Sequence, residues 1–412
     1  MKTKRFYPLV RGLNFIDTAL RAAERVLRRS GVKNVLPKSM VSLKKRFNGP
    51  GTACIGIANP CNFNCIFCPA HFKQQSITAP VLEKEDQPLN AYLSLNSYKN
   101  LIRELHILRT NKVLFQGLGE PLLHRDILEM LEMAKSKKMR VGITTNGSLL
   151  TKEHARAITD LSVDSLGISL NSATPDIYKK MHGITGSDSL EKISEMLRLL
   201  NDYKKKKDVN YPRVIISAVI CKWNYSDIRN IIDFAIKVNA QQVNFYRFYF
   251  CAGMKGEFKD IILGEEDYTI MEKELVFANY IATKNCIQTN ISQYLRIYKQ
   301  ELSAPSSSYK AKFHHISRCG ILADGVVYPV EFPEIMGNIK ERSIIDIWYS
   351  QKYLNFRKKI LRLADEGGSL PTNIFCRHCD PSPSYSNDCR FLFVEGSGDN
   401  LAVKVPDNDC TH

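Results

Sequence analysis

The chain has 412 residues, enough for a large domain plus a smaller one around a sizeable core. It contains no run of about 18 apolar residues and no apolar block near its start, which excludes a membrane-spanning helix and a signal peptide. Its 12 cysteines are too dilute for a secreted disulfide scaffold, and most of them fall in two clusters with metal-like spacing, which favours a reducing cytoplasm.

The formal net charge of +16 is concentrated at the N-terminus. Residues 1–50 hold 13 Lys or Arg against Asp17 and Glu24. Apolar residues from Leu13 to Leu27 recur at helical spacing, which predicts a basic amphipathic helix. We expect residues 1–50 to form an appendage that either meets an anionic partner or is simply a solvated basic face.

From residue 52, short apolar strands alternate with longer helices, a pattern typical of parallel βα units. It predicts six strands, which begin near residues 52, 112, 140, 164, 213 and 242. The expected fold class is therefore α/β, with a partial TIM-like (β/α)6 barrel over residues 51–302. A small cysteine-containing domain over residues 303–412 is expected to follow. In such barrels the site lies at the C-terminal ends of the strands.

Three thiols follow the first predicted strand at the spacing Cys61-x3-Cys65-x2-Cys68. A short irregular loop can bring such thiolates onto one metal centre. One interpretation is a structural zinc site, with His71 as the fourth ligand. The other is a 4Fe-4S cluster with one iron left open to a substrate or cofactor.

This loop, with Phe67 before its last cysteine, resembles that of radical S-adenosylmethionine (SAM) enzymes. The resemblance implies that the open iron chelates SAM and that electron transfer cleaves SAM to methionine and a 5'-deoxyadenosyl radical, which abstracts a substrate hydrogen. It also implies an electron donor such as flavodoxin or ferredoxin.

Three later strand ends fit the same resemblance. Gly117-Leu118-Gly119-Glu120-Pro121 resembles the family's Gly-Gly-Glu-Pro motif, which binds the SAM amino group, although Leu118 replaces a glycine. At the next end, residues 144–147 are small polar residues and a glycine that suit contact with a cofactor. Residues 167–171 resemble the family's ribose- and carboxylate-contacting strand. The expected SAM contacts are Phe67, Gly119, Glu120, Asn146, Ser169 and Asn171, with Ser217 as a weaker candidate.

Two further cysteines lie at the same rim of the predicted barrel. Cys221 and Cys251 follow strands five and six, where a thiol could donate a hydrogen atom to a substrate radical. Packing as a small buried hydrophobe is the alternative for either one.

The segment 319–389 resembles the SPASM domain, which holds auxiliary 4Fe-4S clusters. Asp324-Gly325 predicts a hairpin turn after Cys319, but Val330 stands where the family has a cysteine. The resemblance implies one auxiliary cluster on Cys376, Cys379 and Cys389, with Cys319 or Cys410 as the fourth ligand. Zinc is the alternative metal there.

The sequence leads to three hypotheses. The first is a radical SAM oxidoreductase that acts on a peptide, a sugar-like molecule or another metabolite. The second is an RNA-modifying radical SAM enzyme whose basic N-terminus tracks phosphates. The third, from another class, is a binding protein stapled by zinc at both cysteine groups.

Overall fold

The computed structural model describes residues 49–66, 68, 90–185, 189–248, 261, 263–296, 316–330, 332 and 334–365. The basic N-terminal segment and residues 366–412 lie outside this part of the chain. No helix among the described residues is both long and apolar enough to cross a bilayer.

The strands form one sheet of ten. Their bounds are β1 Thr52–Ile55, β2 Lys112–Phe115, β3 Arg140–Thr145, β4 Ser165–Ser169, β5 Arg213–Ile220, β6 Gln242–Arg247, β7 Gln288–Thr289, β8 Arg318–Ile321, β9 Val326–Tyr328 and β10 Gly337–Asn338. Their order across the sheet is β10-β9-β8-β1-β2-β3-β4-β5-β6-β7. The run from β8 to β7 is parallel throughout.

Nine helices are described alongside the sheet. They are α1 Leu95–Ile107, α2 Ile127–Ser136, α3 Lys152–Asp160, α4 Pro175–His182, α5 Ser189–Lys207, α6 Ile228–Lys237, α7 Glu265–Lys284, α8 Ile344–Trp348 and α9 Gln351–Asp365. Helices fill the crossovers between strands β2 and β6, as parallel pairing requires.

The core lies between the sheet and its helices. Two sets of strand residues in register across neighbouring strands are fully buried: Val113 with Val141, and Ile168 with Ile216 and Val243. Each such side chain contributes about 1.5–3 kcal/mol through burial. The α/β architecture with a partial (β/α)6 barrel is confirmed.

The six predicted strands are all present, each within a few residues of its expected end. The structure adds β7 beyond β6, where the sequence analysis predicted no strand. The hairpin at Asp324-Gly325 is also present, because β8 and β9 are antiparallel and Gly325 has a φ of +92°. β8 pairs with β1 in parallel, so the C-terminal hairpin continues the barrel sheet.

Candidate active site

The cysteine loop leaves β1 at its C-terminal end, where barrel enzymes place their sites. Cys61, Cys65 and Cys68 are reduced and partly exposed. Burial and the neighbouring thiolates of Cys68 and Cys61 raise the pKa of Cys65, and burial raises that of Cys61. The raised pKa values favour neutral thiols in the metal-free loop, and a bound metal would deprotonate them. The donor set therefore fits an iron-sulfur cluster.

One side of the loop is fixed by the turn that follows β2. The Glu120 amide donates to the Pro60 carbonyl at 2.9 Å. A Cβ on Gly119 would stand 2.2 Å from the same carbonyl oxygen, so only glycine permits this approach. The glycine that resembles the family motif is thus required for packing the turn against the cysteine loop.

The Glu120 carboxylate joins that turn to the end of β3. It accepts hydrogen bonds from the amides of Leu122 at 3.0 Å and Asn146 at 2.7 Å, and from the Thr145 hydroxyl at 2.6 Å. Glu120 is 2% exposed, and burial raises its pKa. These contacts give it a structural role beside Cys61; its contact with the SAM amino group stays a prediction.

Asn146 directs its amide towards the cysteine loop. Its Oδ1 accepts from the backbone and hydroxyl of Ser148 at 3.0 and 2.7 Å, which fixes the amide orientation. Its Nδ2 then donates to Asn62 Oδ1 at 2.9 Å and lies 4.0 Å from Cys61 Sγ. Asn146 is held near Cys61 by Asn62 and Ser148, which the sequence did not single out, and its contact with SAM stays a prediction.

The other side of the loop is fixed by the C-terminal end of α4. The amides of Asn64 and Ile66 donate to the carbonyls of His182 at 3.0 Å and Met181 at 3.1 Å. Gly183 ends the helix in the left-handed region, with a φ of +60°. A Cβ there would lie 2.3 Å from the Asn64 carbonyl oxygen.

His182 was not identified by the sequence analysis, although it contacts a predicted ligand. Its Nδ1 lies 3.2 Å from Cys65 Sγ. Its ring packs on Phe63 and Tyr178, with centroid distances of 5.2 and 4.3 Å. Burial lowers the pKa of His182 to about 3, so the imidazole is neutral at physiological pH. Position in the chain gave no signal for it, since 117 residues separate it from Cys65.

The predicted contacts on β4 and β5 divide into two groups. Ser169 and Ser217 are register partners on adjacent parallel strands, and both are partly exposed. Asn171 is fully buried, and its Oδ1 accepts from the Val219 amide at 2.8 Å. The two serines therefore present hydroxyls on one face, whereas Asn171 is used within the protein.

Cys221 lies just past β5 and is 1% exposed. It packs with Met181 and Ile261, and burial raises its pKa to about 11. This is the environment of a packed hydrophobic thiol; a role as hydrogen-atom donor stays a prediction. Six predicted site residues lie outside the described part of the chain: Phe67, Cys251, Cys376, Cys379, Cys389 and Cys410.

Cys319 lies on β8 and is fully buried. Burial and the nearby Cys54 thiol raise its pKa, while Arg318 and Arg357 oppose that shift. The Arg357 guanidinium stacks on Trp348 with 4.2 Å from Cζ to the ring centroid. Burial outweighs the two cations, so the structure shows Cys319 as a packed thiol of the core, and a role as cluster ligand stays a prediction.

Two family models match the chain. The radical SAM superfamily model covers residues 55–235, and the iron-sulfur cluster-binding SPASM domain covers residues 313–380. The chain therefore contains a radical SAM domain followed by a SPASM domain. Its radical SAM domain implies a 4Fe-4S cluster and SAM, and its SPASM domain implies auxiliary iron-sulfur clusters. The third hypothesis, a zinc-stapled binding protein, is set aside by this assignment.

The curated relatives differ in how much of their own length aligns with this chain. A probable GTP 3',8-cyclase of Thermococcus kodakarensis is 30% identical over 47% of this chain, but the match spans only 56% of that protein. An AdoMet-dependent heme synthase of Methanosarcina barkeri is 24% identical over 76% of this chain and 85% of its own length. A Pyrococcus furiosus protein that modifies the cofactor of tungsten-containing aldehyde ferredoxin oxidoreductase is 24% identical over 73% of this chain and 81% of its own length.

Solved structures confirm the radical SAM fold. Streptococcus suis SuiB bound to S-adenosylmethionine superposes with a TM-score of 0.55 at 16% identity, covering 84% of this chain and 79% of SuiB. The structure of anSMEcpe with bound AdoMet gives a TM-score of 0.54 at 16% identity, covering 82% of this chain and 89% of anSMEcpe.

No group of three or more His, Cys, Asp or Glu side chains in the described ranges is gathered tightly enough for a single metal ion. A zinc ion gathers four ligands around one point, whereas a cluster binds each thiolate through its own iron. The zinc interpretation of the cysteine loop involves His71, which lies outside the described residues.

Proposed function

We propose that this enzyme is an oxidoreductase that cleaves SAM reductively at Cys61, Cys65 and Cys68 and abstracts hydrogen from a peptide, a sugar-like molecule or another metabolite. The observation that carries the proposal is the double attachment of the cysteine loop. Its first half is bonded to the Glu120 turn and its second half to the end of α4. Both supports leave the three thiols partly exposed.

The chain's own residues would have the following roles. Three thiolates hold the cluster, which when bound supplies the electron that cleaves SAM. Gly119 and Glu120 keep the neighbouring turn against the loop, and Asn146 directs an amide towards Cys61. Ser169 and Ser217 offer paired hydroxyls for SAM on the next strands.

The C-terminal domain would hold one auxiliary cluster. Cys376, Cys379 and Cys389 are its proposed ligands, with Cys319 on β8 or Cys410 as the fourth. A cluster with four protein ligands cannot bind substrate and would serve as an electron conduit. That role suits a net two-electron oxidation, in which the substrate radical must lose an electron.

Peptides and other metabolites are the substrate classes that the comparisons support. One solved SuiB structure contains a precursor peptide, and the curated relatives include a heme synthase and a cofactor-modifying protein. The RNA alternative depends on the basic N-terminus, which lies outside the described residues. Salt-sensitive tRNA binding that disappears when residues 1–50 are deleted would favour RNA.

Cys65→Ala tests the proposed function. We expect the variant to lose the visible absorbance of the SAM-binding cluster and to form no 5'-deoxyadenosine from SAM under reducing conditions. Cys54→Ala is the matched control, because Cys54 is a buried cysteine on β1 outside the loop. Cleavage of SAM by the Cys65 variant at the wild-type rate would refute the proposal.

A further inference from the structure

The contact between His182 and Cys65 belongs to a longer chain of hydrogen bonds. Val219 N donates to Asn171 Oδ1 at 2.8 Å, and Asn171 Nδ2 lies 3.4 Å from His182 Nε2. His182 Nδ1 then lies 3.2 Å from Cys65 Sγ. The chain runs from the backbone of β5 to the sulfur of a proposed cluster ligand.

The direction of each hydrogen bond follows from its first donor. The Val219 amide can only donate, so Asn171 must present its oxygen there and its NH2 group to the imidazole. If the side-chain amide of Asn171 were flipped, its NH2 group would face the Val219 N–H, and two donors would meet. Nε2 is therefore the acceptor on the imidazole. The proton of the neutral ring must reside on Nδ1, because the bond made by one ring nitrogen fixes the state of the other.

The surroundings of Asn171 and His182 hold both groups in place. Asn224 Nδ2 donates to the Asn171 carbonyl at 2.6 Å and to the Val219 carbonyl at 2.8 Å. Asn171 and His182 are 0% and 1% exposed, so water does not compete for their hydrogen bonds. The Phe63 and Tyr178 rings set the plane of the imidazole.

We infer that His182 donates an Nδ1–H hydrogen bond to the Cys65 sulfur, and that Asn171 fixes the tautomer which makes this possible. His182 is a positioning residue that acts on the cluster through its ligand. Hydrogen bonds to cluster sulfurs help to set reduction potentials, because a donor stabilises the extra negative charge of the reduced state. The inference rests on the proposed function only in taking Cys65 as a cluster ligand.

The test is the midpoint potential of the SAM-binding cluster in the reconstituted full-length protein, measured by EPR during a redox titration. His182→Leu removes the donor and keeps the bulk. We expect about a two- to tenfold fall in the ratio of reduced to oxidised cluster at the wild-type midpoint, the range of one hydrogen bond. This corresponds to about 20 to 60 mV towards negative potential, at about 59 mV per tenfold change.

His182→Asn is the rescue variant, since its amide nitrogen can take the place of Nδ1 and should keep the potential near the wild-type value. His106→Leu, at an exposed histidine in the last turn of α1, should leave the potential unchanged. An unchanged potential in the His182→Leu variant with full cluster content would overturn the inference. So would equal shifts in the His182→Leu and His182→Asn variants, because they would indicate a packing effect.

A measurement on the wild-type protein covers the case in which His182→Leu fails to fold. In protein labelled with [15N]histidine, pulsed EPR of the reduced cluster should detect one histidine nitrogen and one proton that exchanges in D2O. Absence of either coupling would overturn the inference. The proposed function is judged separately by Cys65→Ala: it fails if that variant keeps SAM cleavage, whatever the potential of the His182 variants.

Discussion

At the scale of single residues, buried polar groups hold the site together. Glu120 and Asn146 lie at the ends of β2 and β3, and each satisfies donors from a neighbouring turn. A buried polar group without a partner costs about 1–3 kcal/mol, so these residues are constrained by the protein even before any cofactor binds. The predicted binding roles therefore fall on side chains that also have structural roles.

Glu120→Gln tests this constraint. The amide can accept from Thr145 and Leu122 through its oxygen, but its NH2 group then faces the Asn146 amide donor. We expect the free energy of unfolding to fall by about 1–3 kcal/mol, measured by urea denaturation. Glu153→Gln, at an exposed position in the first turn of α3, should change it little. Equal stability of the Glu120 and Glu153 variants would contradict a structural role for the Glu120 carboxylate.

Lys112, at the start of β2, is a residue for which pH provides the test. Burial lowers its pKa to about 8, Arg140 and Arg318 add to the shift, and Cys54 and Asp164 oppose it. In the unfolded chain the pKa of lysine is about 10.4. Between these values the unfolded state binds the additional proton, so stability must rise with pH.

The comparison is between wild type and Lys112→Met. The difference in unfolding free energy, wild type minus variant, should rise by about 3 kcal/mol from about pH 8 to about pH 10.4, at about 1.4 kcal/mol per pKa unit. Below pH 8 it should be constant, because Lys112 is then protonated in both states. A difference that stays flat across the alkaline range would show that Lys112 is not desolvated as the structure indicates.

At the scale of elements, the end of α4 supports the cysteine loop. The loop amides bond to the last carbonyls of this helix, which would otherwise lack partners. Gly183 lets the chain turn away in the left-handed region while its backbone touches Asn64. Helix termination and cluster-loop geometry therefore depend on one another.

Gly183→Ala should disturb both the end of α4 and the geometry of the cysteine loop. The left-handed conformation costs a residue with a Cβ about 1–2 kcal/mol, and the new methyl group would press on the Asn64 carbonyl. We expect lower stability and lower iron content per chain after anaerobic reconstitution. Gly264→Ala is the control, since a Cβ there meets only Asp267 Oδ2 at 3.5 Å and φ is −83°. Full iron content in the Gly183 variant would contradict a supporting role for α4.

At the scale of the whole molecule, the C-terminal hairpin is part of the barrel sheet. β8 pairs with β1 over four residues, so it covers the edge of the strand that delivers the cysteine loop. Helix α8 adds a second connection, because Glu104 on α1 accepts from the Ile344 amide at 2.8 Å. The matched SPASM region and the radical SAM region thus share one sheet.

Truncation after residue 302 tests this continuity. Removing β8 would expose the row of backbone donors and acceptors on β1, and exposed edges favour aggregation. We expect the shortened protein to be largely insoluble, or to unfold at a clearly lower temperature than wild type in a thermal scan. A chain that ends after residue 365 keeps all ten described strands and should retain a soluble barrel. A soluble product of residues 1–302 with unchanged thermal stability would show that the two regions fold independently.

The sequence by itself determined the family and the barrel strands. Alternating apolar segments with helix-forming runs fix which residues form βα units, since that information is local. The Cys-x3-Cys-x2-Cys spacing is local as well, and it identified the cluster ligands as candidates without coordinates. β7 was missed because two residues carry no periodic signal.

Only the tertiary structure decided what surrounds those ligands. His182 and Gly183 reach the cysteine loop through the packing of α4, and Ser148 reaches it through the turn after β3. No spacing along the chain encodes these contacts. The same holds for Asn171, which resembled a SAM-contacting residue but is buried with its oxygen bonded to the Val219 amide. Local patterns specify elements and short ligand loops, whereas contacts between distant segments depend on how those elements pack. The packing of distant segments therefore decided the environment of the site.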